Sequence, residues 1–424
     1  MRGTRRGVGL CFWLAIWGAG GLASPPALAQ GLVPEAAAEA ASGGTMAEGV
    51  QAGFADWVQG FVPRARAAGI SDATLAQALR GLRYNADVID KDRNQSEFVR
   101  PIWEYLDRAV SDTRIGNGQD ALRLHGRLLD RIEARYGVER EVVVAVWGLE
   151  SSYGQNRGDI PVIEALATLA YDGRRGPFFE AQLIDALRIV QSGDVGAGDV
   201  RLGAFRGSWA GAMGHTQFIP SSYQAFAVDF DGDGRRDIWS DDPADALAST
   251  AAYLARSGWQ TGRPWGVEVA LPAGFDYGLT GERPVAEWQA LGVRTAQGQA
   301  LPDHGVGSIL LPAGARGAAF LIFGNFRAIE RYNAADAYVI AIGHLADRLR
   351  GGGPIRAAWP REDRVLSFAE RQEMQERLGR AGYDTGGVDG KIGPKTVAAV
   401  RAFQRSVGMV ADGYPSLELL GRLR

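Results

Sequence analysis

Trp147-Gly148-Leu149-Glu150-Ser151-Ser152-Tyr153-Gly154 is the stretch on which the reading of this chain turns. It closes the apolar run Glu141-Val-Val-Val-Ala-Val-Trp-Gly-Leu-Glu150, whose spacing predicts a helix. Val143, Val146 and Trp147 lie seven, four and three positions before Glu150, so they share its face. A carboxyl on an apolar face loses hydration in its charged form and should hold its proton to unusually high pH. A general acid for glycosidic cleavage needs that property. A helix-end glutamate that simply reaches water fits the same octet, and the octet alone leaves both readings open.

The chain has 424 residues, enough for two or three domains, with 46% hydrophobic and 22% charged residues, as in ordinary globular proteins. Formal net charge is −3. The first 29 residues carry Arg2, Arg5 and Arg6 and no acid, so a chain starting at Gln30 would be at −6. That balance speaks against a general nucleic-acid binder. The same segment reads as a signal peptide: a basic start, an apolar stretch from Gly7 to Leu22 broken by glycines, and Ala27-Leu28-Ala29 as a cleavage site. Cys11, the only cysteine, lies inside the apolar stretch, so no lipid-attachment signal is expected. The mature chain would then have no disulfide and no transmembrane segment, and would be exported to a periplasm.

Residues 30–49 are Ala/Gly/Glu-rich and read as a flexible leader. From Phe54 the pattern is helical, with Ser71 as an N-cap and helices expected over 98–110 and 119–136. Further helices are expected over 163–169, 178–190, 244–257 and 325–350. Residues of about 262–325 alternate and are rich in Pro and Gly, which predicts a small β-rich insert. Gly351-Gly352-Gly353-Pro354 breaks the pattern, and 351–363 reads as a linker. Residues 364–424 read as a compact helical unit. The fold class is α+β, mainly α.

Three other stretches carry candidate chemistry. Arg174-Arg175 before Phe178-Phe179 could hold an anionic, sugar-bearing polymer or form a solvated helix entrance. Ser208 to Tyr223 is rich in glycine and small residues, which let backbone approach a ligand, and Gln217 offers both donor and acceptor groups. His215 has no histidine or cysteine partner nearby and reads as a non-metal residue. Asp229, Asp231, Asp233, Arg235 and Asp237 fall at loop positions 1, 3, 5, 7 and 9 of a calcium loop, with Gly234 at position 6. Position 12 is Ser240 instead of an acid, so an Asx-rich turn without metal fits as well.

These motifs resemble a known family. Residues from about 54 to 350 resemble the membrane-bound lytic murein transglycosylase B group, with its lysozyme-like core. The resemblance rests on WGLESSYG, SWAGAMGHTQFIPSSY from Ser208, the acidic loop and RYN at Arg331, in matching order. DGKIGPKTVAAVRAFQ from Asp389 resembles a three-helix peptidoglycan-binding module. The resemblance implies a catalytic domain over 50–350 and a peptidoglycan-binding domain over 364–424. It implies that Glu150 is the sole acid/base and that Ser208, Gln217, Tyr253, Tyr332 and Asn333 line a glycan groove. Arg174, Arg175 and Phe178 would serve neighbouring subsites. Peptidoglycan strands are the expected substrate, other cell-wall enzymes are candidate partners, and a structural calcium is the one ion considered, no cofactor being required. His215-Thr216 and Phe178 depart from the family pattern, as does Ser240. The expected reaction cleaves the MurNAc-β-1,4-GlcNAc bond without water to leave 1,6-anhydroMurNAc ends. The alternatives are a non-catalytic murein scaffold or a hydrolytic muramidase with a second carboxylate such as Asp229 or Asp237.

Overall fold

The structure, a computed structural model, describes residues 35–93, 100–196 and 205–424, with side chains from Glu48 onward. The expected signal peptide and Cys11 lie outside the described residues, as does the start of the helix expected from Phe98. No described helix is long and apolar enough to cross a membrane. The described chain divides into two compact units, one from residues 35–93 and 150–252 and one from 100–149 and 253–424.

The first unit begins with α1 (Glu35–Ala67), α2 (Asp72–Ala78) and α3 (Ala86–Arg93). The segment read as a flexible leader is therefore helical from Glu35, consistent with its alanines and glutamates, which are strong helix formers. Phe54, Trp57 and Phe61 project from one face of α1, with Trp57 stacked on Phe61 at 5.4 Å and Tyr171 set edge-on to Phe54 at 5.5 Å. Ser71 caps α2 by accepting the Thr74 N–H, as its sequence predicts. The unit continues, after the end of α7 (Arg140–Ser151), with the two-residue strand β1 (Ile160–Pro161) and helices α8 (Val162–Asp172) and α9 (Gly176–Ser192). Strand β2 (Arg206–Gly207), α10 (Pro220–Phe226) and most of α11 (Ala244–Arg256) complete it. α9 packs against α2, α8 and α10, burying Leu166, Leu169, Phe179, Leu183 and Leu187.

The second unit contains α4 (Ile102–Ala109), α5 (Asp112–Leu124), α6 (Gly126–Tyr136) and α7 up to Leu149. The helix expected over 119–136 is two helices broken at His125, the first starting earlier under a Ser111 cap. The β-rich insert is a five-stranded antiparallel sheet of β3 (Gly266–Ala270), β4 (Arg283–Pro284), β5 (Arg294–Thr295), β6 (Val306–Leu310) and β7 (Ala319–Ile322). The strand order is β4-β6-β7-β3-β5, with Val267 opposite Leu321 and Ile309 opposite Leu321. Its core is built on Trp288, from α12 (Val285–Ala290), whose indole N–H donates to the Gly307 carbonyl at 2.9 Å. Then come α13 (Gly324–Tyr332) and α14 (Asp336–Leu349), the latter packed on α4, α5 and α13.

α15 (Phe368–Arg380), α16 (Pro394–Ser406) and α17 (Leu417–Leu423) enclose a core of Leu366, Met374, Leu378, Val400, Phe403, Leu419 and Leu420. Ser367 and Glu370 form a reciprocal capping box at the start of α15. The segment expected to be a linker is pinned. Glu268 accepts the backbone N–H groups of Arg356 and Ala357, Trp359 packs on Trp103 at 6.4 Å, and Arg361 pairs with Asp107 at 2.7 and 3.0 Å. Asp412 accepts the Ala315 N–H at 2.8 Å, tying the helical unit to the insert.

Burial lowers the pKa of His344, on α14, to about 4 from its ordinary 6.5, with Arg348 adding to the effect. Unfolded, this histidine takes up a proton below 6.5; folded, it resists until about 4. Its contribution to stability is therefore complete above pH 6.5 and is lost as pH falls through that window, by at most on the order of 3 kcal/mol. Melting temperature measured from pH 4 to 7.5 should fall more steeply on the acid side for the wild type than for His344→Gln.

Candidate active site

Glu150 stands in the last turn of α7 and is only 7% exposed. Val143, Val146 and Trp147 on its face are buried too, so the helix does carry a carboxyl into an apolar setting. After Ser151 the chain breaks sharply, with Ser152 and Tyr153 at φ +51° and +61°, a region that side chains with a Cβ rarely occupy. Ser151 makes that break possible. Its buried hydroxyl donates to the His215 carbonyl at 2.5 Å and accepts the Gly154 N–H at 2.9 Å.

His215 belongs to the glycine-rich run, a tight hairpin in which Met213 and Phe218 exchange backbone hydrogen bonds at 2.8 and 3.0 Å. Two glycines are required by space. A Cβ on Gly158 (φ +88°) would lie 2.1 Å from the Gly207 carbonyl carbon, and one on Gly214 (φ +72°) 2.3 Å from the Ile238 oxygen. Backbone therefore packs directly on backbone around the loop. Gln217, at φ +53°, is the third non-glycine residue with positive φ among those described, and all three lie in the two sequence motifs.

Two expected glycan contacts are shaped by this loop. The Ser208 hydroxyl oxygen accepts the N–H groups of Ala210 and Ala212 at 3.3 and 3.0 Å, leaving its proton to offer. The Gln217 side-chain amide donates to the carbonyls of Arg157 and Gly214 at 3.1 and 2.9 Å. Both amide hydrogens are thus used within the protein, and the group left for a ligand is the acceptor Oε1. This narrows the expectation that Gln217 would offer donor and acceptor alike. His215 is 4% exposed, and its Nε2–H donates to the Ser240 carbonyl at 2.7 Å, a role in the framework of the loop.

Arg174 and Arg175 both pair with Asp92, at 2.9 and 2.6 Å, and Asp92 is 2% exposed. Arg175 also lies over the Phe179 ring at 4.8 Å, and Phe178 meets Phe179 edge-on at 5.2 Å. The pair therefore compensates a buried carboxylate, a partner 82 residues away that local sequence does not reveal; their joint charge still exceeds it by one.

Tyr253, Tyr332 and Asn333 come together in the other unit. The Tyr253 hydroxyl donates to the Arg331 carbonyl, and its ring meets that of Tyr332 at 4.8 Å. Burial raises the Tyr253 pKa, so this donor stays protonated. Asn333 follows α13 as its C-cap, and its Oδ1 accepts the Ala335 N–H at 3.1 Å; the N-cap of α14 is Ala335.

In the acidic turn, carboxylate oxygens of Asp229, Asp231 and Asp233 lie within 4.8 Å of one another. Asp229 accepts the N–H groups of Gly232 and Gly234, and Gly234 has φ +90°, as position 6 of a calcium loop requires. The donor set at positions 1, 3 and 5 fits a hard cation. Position 12 does not, since the Ser240 hydroxyl donates to the Asp242 carbonyl and its own carbonyl accepts from Arg157 and His215. Arg235 lies 3.6 Å from both Asp233 and Asp237 and neutralises part of the charge. Beyond the loop, buried Asp245 accepts the N–H groups of Phe230 and Asp237 at 2.7 and 3.1 Å, with burial pushing its pKa up to about 6.

The mainly helical chain with its small sheet has a lysozyme-like fold, and within it a glycine-rich turn is bonded to the helix end that carries a buried carboxyl. The chain belongs to the transglycosylase SLT domain family, whose model matches residues 53–347, and residues 369–423 match a putative peptidoglycan binding domain. It is 33% identical over 244 residues to membrane-bound lytic murein transglycosylase B of Escherichia coli K12, covering 57% of this chain and 65% of that protein, less than two thirds of its length. SltB3 of Pseudomonas aeruginosa in complex with NAG-anhNAM-pentapeptide is 51% identical, with TM-score 0.84, and the match covers 88% of this chain and 99% of that one. The Escherichia coli lytic transglycosylase Slt35 in complex with calcium is 27% identical, with TM-score 0.58, over 71% of this chain and 93% of that one.

Ser151→Ala would leave the buried His215 carbonyl and Gly154 N–H without their hydroxyl partner. Denaturant unfolding should show a loss of about 2–3 kcal/mol; a loss below 0.5 kcal/mol would mean that the hydroxyl does not hold the two motifs together.

Proposed function

We propose that this chain is an exported lytic murein transglycosylase that cleaves the MurNAc-β-1,4-GlcNAc bond with Glu150 as its single acid/base. The observation that carries the reading is the burial of Glu150 at the end of an apolar helix, the setting that a general acid for glycosidic cleavage needs. The anhydro-sugar ligand of SltB3 supports the same chemistry by similarity. Protonated Glu150 donates to the glycosidic oxygen, the bond from the MurNAc anomeric carbon to that oxygen breaks, and an oxocarbenium-like centre develops, assisted by the acetamido group. The MurNAc 6-hydroxyl then bonds to that carbon and returns its proton to Glu150. No water is consumed, and the internal nucleophile acts at high effective concentration. Ser208, Gln217, Tyr253, Tyr332 and Asn333 would hold the sugars, with Arg174, Arg175 and Phe178 at outer subsites. Residues 1–29 would direct export to the periplasm, 50–350 would form the catalytic domain and 364–424 would bind peptidoglycan. Other cell-wall enzymes remain candidate partners. The hydrolytic alternative fits less well, because both Asp229 oxygens accept backbone N–H groups within the acidic turn.

Mass spectrometry of soluble fragments released from purified murein tests the reading. Wild type should release fragments one water lighter than hydrolysis products, and Glu150→Gln none while still binding sacculi. Full-mass reducing ends would assign a hydrolase instead.

A calcium ion, when bound, would be held by Asp229, Asp231, Asp233, the Arg235 carbonyl and Asp237, and would serve to stiffen the turn. Without an acid at position 12, its Kd should be about 10⁻⁴–10⁻³ M. Calorimetric titration should give binding in that range, abolished by Asp231→Asn; heat that is unchanged in the variant would place the ion elsewhere.

A further inference from the structure

We infer that Arg157 is a positioning residue that sets the orientation of Gln217; the link to glycan rests on the function proposed above. Arg157 lies just after the Glu150 motif, beside Gly158, and its side chain is 31% exposed. Its guanidinium donates from Nη1 to the carbonyls of Trp239 and Ser240 at 2.9 and 2.7 Å. From Nη2 it donates to the Asp241 carboxylate at 2.8 Å, which brings that carboxyl below the usual range. The planar fork thus fixes three consecutive residues at the end of the acidic turn. The Arg157 backbone carbonyl meanwhile accepts the Gln217 amide at 3.1 Å. One residue holds the turn with its side chain and the Gln217 amide nitrogen with its main chain.

His215 closes the circuit. Its ring donates to the Ser240 carbonyl that Arg157 also holds, and its own carbonyl accepts from Ser151, next to Glu150. Gln217 needs such support. Its φ of +53° costs free energy, and it persists only where surrounding bonds over-determine it. With the guanidinium removed, residues 154–158 lose their anchor on 239–241, and the Arg157 carbonyl, one of the two that hold the Gln217 amide, is less firmly directed. The expected consequence is a misdirected Oε1.

Two measurements test this. In wild type labelled with ¹⁵N-glutamine, the Gln217 side-chain amide, identified by its absence in Gln217→Ala, should exchange slowly. In Arg157→Met it should move toward the free-glutamine position, and in Asp241→Ala, which removes one anchor at the surface, it should move less in the same direction. Asp241→Ala decides alone if Arg157→Met does not fold. On a Glu150→Gln background, binding of a GlcNAc–MurNAc tetrasaccharide should weaken about tenfold with Arg157→Met, about tenfold with Gln217→Ala, and no more than that with both. Unshifted amide resonances, or losses that multiply to about a hundredfold, would overturn the assignment. If the Glu150→Gln parent itself failed to bind the tetrasaccharide, the glycan reading would fall and the glutamine spectra would still decide the role of Arg157.

Discussion

The site depends on main chain packed against main chain. The segment after Glu150 runs so close to β2, and the hairpin at Gly214 so close to Ile238, that no side-chain atom fits between them. Such proximity brings peptide groups within reach of one another without intervening side chains and fixes their directions by hydrogen bonds. Ser151, Ser208 and Gln217 all use that framework, each satisfying backbone groups before presenting anything outward. A loop of larger residues would hold the same polar atoms with more freedom and less definite aim.

Much of this was readable from the sequence, for local reasons. The apolar face below Glu150 follows from helical period, the capping of α2 from Ser71, and the β-rich insert from alternation near Val267. The glycine-rich run announced close packing but not what it packs against. Features that required long-range pairing were hidden. Asp92 draws in Arg174 and Arg175 from 82 and 83 residues away, and Glu268 pins a segment 88 residues downstream that looks like a free tether. Arg157 and Asp245 were missed because they stand outside the motifs, although most of their partners lie inside them. The one signal for Arg157 was a charged residue inside an otherwise small, polar turn.

The acidic turn shows how one substitution shifts work to other groups. A calcium loop closes on a carboxylate at its twelfth position. Here Ser240 occupies that place, and its carbonyl is bound by a guanidinium and an imidazole. Asp245 supplies from the following helix the carboxylate that organises the N–H groups of Phe230 and Asp237. Side-chain donors from Arg157 and His215 and a borrowed acid thus provide cross-links within the turn.

The pinned segment between α14 and α15 changes the thermodynamic standing of the C-terminal helices. A tethered module melts independently, and a ligand captured by it leaves its neighbours indifferent. Here Asp412, Trp359, Glu268 and Arg361 spread a shared seam across the insert and α4. By mass action, anything that binds the folded C-terminal helices also disfavours unfolding of what they rest on. Murein held by α15–α17 would then act as a stabilising ligand for the β-rich insert, which it need never touch.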